Sequence, residues 1–157
     1  MLSPACTVGY FGKPEATAGT YHEGWMRTGD LARVDDEGYV HIAGRAKDLV
    51  IVGGLNVYPA EVERVLLDLD GVAEAAVVGV PDPVWGEVPE AVVIVKHGYT
   101  MSAAQLEEHC RDELANYKVP RRWNVRTEPL PRTTSGKIQR HLIAQQAKQA
   151  LIAEQER

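Results

Sequence analysis

The chain has 157 residues, 45% apolar and 25% charged, the proportions of an ordinary soluble globular protein. No window approaches the ~18 apolar residues of a membrane span, and Cys6 and Cys110 fit no disulfide or metal spacing, which points to a reducing, cytoplasmic setting. The net charge of −5 is uneven: residues 1–116 carry 19 acids and 8 bases, and residues 117–157 carry 3 acids and 9 bases. The basic end either meets an anion or an acidic surface, or is a solvated helix face. The first residues have no basic region followed by an apolar core, so a secretory leader is not expected.

In chain order, residues 1–24 are rich in Gly, Pro, Thr and Ala without a period and read as irregular chain. Leu31–Val34 and Tyr39–Ile42 flank the polar turn 35–38 as a hairpin. A polar connector, Gly44–Asp48, follows. Leu49–Val52 and Leu55–Tyr58 form a second hairpin about Gly53 and Gly54. Pro59 suits a first helical turn, and Val62, Val65, Leu66 and Leu69 mark one helical face. Val72–Val80 and Ala91–Lys96 are strands separated by the turn residues Pro81, Asp82, Pro83 and Gly86. Ser102 with Gln105 is a capping box opening a helix with Leu106, Cys110 and Leu114. Trp123–Thr127 is a short strand. A last helix starts at Ile138, with Leu142, Ile143, Ala147 and Ala150 inward. From Leu49 the order is β-β-α-β-β-α-β-α, an α+β fold with helices packed on a small mixed sheet.

Four segments could carry chemistry. Asp30, after Gly29 at a strand entrance, suits a turn cap or a carboxylate accepting from a vicinal diol. Arg45 offers a donor fork for phosphate or ribose oxygens, and Lys47 beside Asp48 could exchange partners if the flanking parts rotate; a solvated linker would read the same way. Gly53 and Gly54 form a hairpin turn, or let a ligand approach the backbone closely. Lys137 follows Gly136 in a Pro/Thr/Ser/Gly loop that does not match the G-x-x-x-x-G-K-[ST] pattern. It is either a surface lysine or a point charge for a phosphate. His22, His41, His97, His109 and His141 have no ligand spacing, so no metal site is expected. Trp25, Trp85 and Trp123 suit packing better than base stacking, and no nucleic-acid partner is expected.

The order and spacing of these segments carry a resemblance. The series runs through Trp25-Met26-Arg27-Thr28-Gly29-Asp30-Leu31, Asp36-Glu37-Gly38-Tyr39 and Gly44-Arg45-Ala46-Lys47-Asp48. It continues with Gly53-Gly54-Leu55-Asn56-Val57-Tyr58-Pro59-Ala60-Glu61-Val62-Glu63, Pro81-Asp82-Pro83-Val84-Trp85-Gly86-Glu87, Tyr117-Lys118-Val119-Pro120 and Pro131–Ile138. It resembles the C-terminal third of the AMP-forming acyl-CoA synthetases, a superfamily shared with peptide-synthetase adenylation domains and luciferases. The resemblance implies two half-reactions. A carboxylate attacks the α-phosphate of ATP, giving an acyl-adenylate and pyrophosphate; the small domain then rotates, and a thiol displaces AMP. It implies that Asp30 holds the ribose hydroxyls, that Arg45 lies near ribose and phosphate, and that Lys47 is the hinge. Lys137 would bridge the carboxylate and the α-phosphate, and Gly53 and Gly54 would line the pantetheine path of coenzyme A.

It also implies ATP with Mg2+ and coenzyme A as needs of an intact enzyme, with none held tightly by this chain. Residues 1–46 would be the edge of a larger N-terminal domain, an irregular segment plus a hairpin, and 47–157 the mobile C-terminal domain. The Ser/Thr/Gly/Lys-rich phosphate loop of the family is not in these 157 residues, so the chain alone is expected to be inactive and to need the N-terminal adenylation domain as partner. The alternatives are a stand-alone docking or nucleotide- or CoA-binding module without turnover, part of a carrier-protein-dependent adenylation enzyme, and an inactive remnant.

Overall fold

The computed structural model describes residues 5–155. The chain divides into two compact units, Met1–Lys47 and Asp48–Arg157.

The first unit contains α1 (Pro14–Thr20), β1 (Tyr21–His22), β2 (Trp25–Met26), β3 (Asp30–Val34) and β4 (Val40–Arg45). The irregular reading of residues 1–24 is therefore corrected, with residues 1–4 outside the described residues. Pro14 presets the first helical turn, and Thr17 returns its hydroxyl to the Lys13 carbonyl at 2.9 Å. With no apolar face, α1 leaves no periodic trace. β1 and β2 close around Glu23 and Gly24, both at positive φ (48° and 80°), as a two-residue hairpin requires. In the β3–β4 turn, Asp35 Oδ1 accepts from the amides of Glu37 and Tyr39. Gly44 and Arg45 belong to β4, so the expected polar connector shrinks to a 3-10 turn at Ala46–Asp48. No described residue before Val50 is buried.

The second unit contains β5 (Val50–Val52), β6 (Leu55–Val57), α2 (Pro59–Leu67), β7 (Val72–Asp82), β8 (Gly86–Val95), α3 (Ala103–Glu113), β9 (Arg122–Arg126) and α4 (Arg140–Gln155). Its sheet is mixed. β7 runs antiparallel to the whole of β8. The other edge of β8 is shared, by β5 at Gly86 and by β9 in parallel over Glu90–Ile94. Pro81 lies inside β7 rather than ending it, which an edge strand tolerates because one side of its backbone carries no ladder. Alternation sends Ala75, Val77, Ala91 and Val93 to one face, under Val62, Val65 and Leu66 of α2 and Leu106 and Cys110 of α3. Ala76, Val78, Val80, Val92 and Ile94 face the other way, against Ile143 and Ala147 of α4. α4 begins at Arg140 rather than Ile138, because Ile138 pairs with Arg132 in an isolated bridge. Ala150, expected inward, is exposed, since the inner stripe of α4 steps from Ile143 through Ala147 to the half-buried Leu151 and passes it by. The capping box at Ser102 has both of its hydrogen bonds.

Candidate functional site

In the first unit, Asp30 and Arg45 are register partners at the open end of the β3–β4 hairpin. Arg45 Nε lies 3.0 Å from Asp30 Oδ1, with the Asp30 side chain 27% exposed. The hairpin thus joins two candidates that the sequence places 15 positions apart. Thr28 Oγ1 accepts from the Asp30 amide at 3.2 Å, and the Gly29 carbonyl accepts from the Ala46 amide at 2.9 Å. The result is a fixed carboxylate beside a fixed guanidinium, able to accept from hydroxyls and donate to an anion. Lys47, two residues on, is exposed, and among the described residues no carboxylate reaches it.

In the second unit the two glycines part company. Gly53 (φ 55°) donates its amide to the Trp85 carbonyl at 2.9 Å, and a Cβ there would stand 2.8 Å from Trp85 Cε3. Gly54 (φ 87°) faces open space. Trp85 is held from both ends. Its amide donates to Asp82 Oδ1 at 2.9 Å, and Arg121 stacks on its ring at 4.8 Å. That amide, with Val84's beside it and the Arg121 charge, holds the Asp82 carboxyl below its ordinary range.

Lys137 sits in a loop that is closed on itself. Gly136 (φ 82°) lets its amide reach the Thr133 carbonyl at 2.9 Å. Thr133 then pairs with Lys137 twice: its amide donates to the Lys137 carbonyl at 2.8 Å, and its hydroxyl oxygen accepts from the Lys137 amide at 3.1 Å. Arg132 ties the loop down, donating to the Gly136 carbonyl at 2.8 Å and to Glu74 on β7. The Lys137 side chain is exposed and, among the described residues, has no ion-pair partner. Lys118, by contrast, is held by Glu61 at 2.6 Å.

The sequence reading missed one cluster. Arg140, at the foot of α4, forks onto both Glu63 oxygens (Nη2 to Oε2 is 2.7 Å). It also donates to the Val77 carbonyl at 3.3 Å and lies 3.8 Å from Asp48. Glu63 accepts from the Val77 amide at 2.7 Å. The hydrogen bond to Glu63 raises the Arg140 pKa against the cost of burial. A carboxylate inside the apolar stripe of α2 and an arginine at a helix start were its available signals. Among the described residues no group of three or more His, Cys, Asp or Glu could hold a metal, and no helix is long and apolar enough to cross a membrane.

Residues 61–137 match the model of the AMP-binding enzyme C-terminal domain. A 3-[(3aS,4S,7aS)-7a-methyl-1,5-dioxo-octahydro-1H-inden-4-yl]propanoyl:CoA ligase of Rhodococcus jostii is 49% identical over 90% of this chain and 27% of its own length. A long-chain-fatty-acid–CoA ligase of Mycobacterium tuberculosis is 44% identical over 87% and 27%. The solved o-succinylbenzoate CoA synthetase of Bacillus subtilis, in complex with its acyl-adenylate intermediate, superposes with a TM-score of 0.81 at 41% identity. That match covers 86% of this chain and 27% of that one. The chain therefore spans little more than a quarter of the length of the curated relatives it matches.

Proposed function

The chain belongs to the AMP-binding enzyme C-terminal domain family, and from that membership we propose that it works as the C-terminal part of an acid–thiol ligase. Such an enzyme joins a carboxylate to the α-phosphate of ATP, releasing pyrophosphate. It then passes the acyl group to the thiol of coenzyme A, releasing AMP and a proton. The observation that carries the reading is Lys137, presented on a closed loop with no ion-pair partner among the described residues. It supplies a point charge toward the carboxylate and the α-phosphate as negative charge shifts between them.

Asp30 accepts from the ribose hydroxyls, and Arg45 holds Asp30 in place while facing ribose and phosphate. Lys47, in the 3-10 turn at Ala46–Asp48, is the hinge position. Gly53 and Gly54 border the path of the pantetheine thiol, with Gly54 the open side. Lys137 and Gly54 lie on separate turns of the second unit, so one domain has two working faces used in turn. Among the described residues no cluster suits Mg2+; the ion would arrive on ATP. The partner is an N-terminal adenylation body. The exposed Tyr10, Phe11, Val34, Val40 and Ile42 of the first unit support that reading, because a hairpin with no buried residue needs a surface to lie on. The setting is cytoplasmic, where ATP and coenzyme A are at hand.

The test replaces the matching C-terminal part of a CoA ligase with this chain and follows each half-reaction separately. Lys137→Ala lowers pyrophosphate release by about a hundredfold or more and leaves thioester formation from a supplied acyl-adenylate intact. Gly54→Leu does the reverse. Equal losses in both half-reactions, or turnover by the 157-residue chain alone, would overturn the reading.

A further inference from the structure

The cluster at the foot of α4 has no part in the roles given above. A cation in the first turn of a helix opposes the helix dipole, so nothing local to α4 favours Arg140. Its partners lie elsewhere: Glu63 on α2, the Val77 carbonyl on β7 and Asp48 in the 3-10 turn. Glu63, its side chain only 10% exposed, serves both the guanidinium and the Val77 amide, so the clamp is fixed to the sheet.

Lys137 stands three residues before Arg140, with Gln139 between them. The Gln139 amide donates to the Pro131 carbonyl at 2.8 Å, and the Gln139 carbonyl accepts from Leu142 at 3.0 Å. The lysine loop is thus pinned on one side by Arg132 to Glu74 and on the other by Arg140 to Glu63 and Val77. Both anchor lines end on β7. Asp48 opens the second unit, and its carboxylate is the third point of the clamp.

We propose that Arg140 is a positioning residue for Lys137, its guanidinium locked by Glu63 and Val77 and linked by Asp48 to the turn at Ala46–Asp48. A change in that turn that moves Asp48 is felt at the start of α4, and so at the lysine loop. This rests on the ligase reading for its consequence in catalysis, but the geometry has its own readout.

In the 157-residue chain, amide hydrogen exchange is followed at Gly136, Lys137 and Gln139, whose amides are bonded within the loop. Arg140→Met speeds exchange at these three by about tenfold or more, while the amides of α3 keep their rates. Arg140→Lys, which keeps charge but not the fork, gives the same pattern to a smaller degree, and Asp48→Asn gives the smallest change. In the ligase chimera, Arg140→Lys lowers the kcat of adenylation by about tenfold to a hundredfold with KM for ATP nearly unchanged, and spares thioester formation from supplied acyl-adenylate.

Unchanged exchange in the loop for Arg140→Met, in a variant that keeps its far-ultraviolet spectrum, overturns the proposal. So does a rise in exchange spread over the whole second unit for both Arg140 variants, which marks a merely structural role. Faster loop exchange with no split between the half-reactions upholds the clamp and refutes the ligase reading instead.

Discussion

Gly53→Ala and Gly54→Ala are chemically identical changes at adjacent positions, yet they should differ in cost. Both glycines have positive φ, 55° and 87°, where a Cβ costs about 1–2 kcal/mol; the smaller unfolded-state entropy of Ala returns roughly 0.4–1 kcal/mol. At Gly54 nothing lies within reach of the new methyl, and the account ends there. At Gly53 the methyl would stand 2.8 Å from Trp85 Cε3. The indole is 42% exposed, but it can step aside only by giving up the Arg121 guanidinium that covers its ring, while the Asp82 turn fixes its backbone. Overpacking, or the displacement that relieves it, costs about 1–3 kcal/mol more. Urea unfolding of the 157-residue chain, followed by far-ultraviolet circular dichroism, should thus place Gly53→Ala about 1–3 kcal/mol below Gly54→Ala. In a double-mutant cycle with Trp85→Ala, Gly53→Ala should recover most of that excess. Equal losses for the two alanines, or additivity in the cycle within about 0.5 kcal/mol, would refute the reasoning.

Asp82 has a lower pKa folded than unfolded, so it lends stability above the ordinary carboxylate range that is lost as pH falls through its folded value. Asp82→Asn should flatten the acid limb of the unfolding curve below about pH 4, and an unchanged limb would count against the turn as its cause. Burial, with some help from Glu107, pushes the Cys110 thiol up to about 11. A thiol reagent should therefore modify only the partly exposed Cys6 quickly in the native chain and both cysteines in urea; two fast equivalents in native buffer would contradict that burial. Limited proteolysis should cut within residues 5–47 before it cuts within 48–155, because no described residue before Val50 is buried, and an early cut inside the second unit would be the contrary result.

What the sequence made legible depended on how local each signal was. The apolar stripe of α2, the capping box of α3 and the apolar run of β7 lie within a few neighbouring positions, and each element forms where its pattern put it, although β7 runs on through Pro81 to Asp82. α1 has seven residues and no buried face, so periodicity had nothing to report. The Glu23–Gly24 turn lacks the Asn-Gly or Asp-Gly pair that usually marks such a hairpin. The parallel partner of β9 is a fact of topology, invisible to any window. Among the site residues, Asp30 and Arg45 were named separately; only the hairpin register made them a pair. Arg140 was counted merely as one charge of a basic tail, since its partners on α2 and β7 come 77 and 63 positions earlier. The roles assigned to Lys137, Lys47 and the glycines are what the family resemblance implies, because each residue alone suits a plain surface position as well.

The parallel seating of β9 sets an order of assembly. The β7–β8 hairpin can close as soon as both strands exist, but Arg122 meets Glu90 across 32 residues, after α3 has been made. Loop closure over that span slows the step. The Lys137 loop and α4 come later still, so the face bearing Ala76, Val78, Val80, Val92 and Ile94 stays bare until the last helix lands. A chain stopped near residue 139 would keep its α2–α3 layer while showing water a ready-made apolar sheet face, the kind of surface on which chains aggregate.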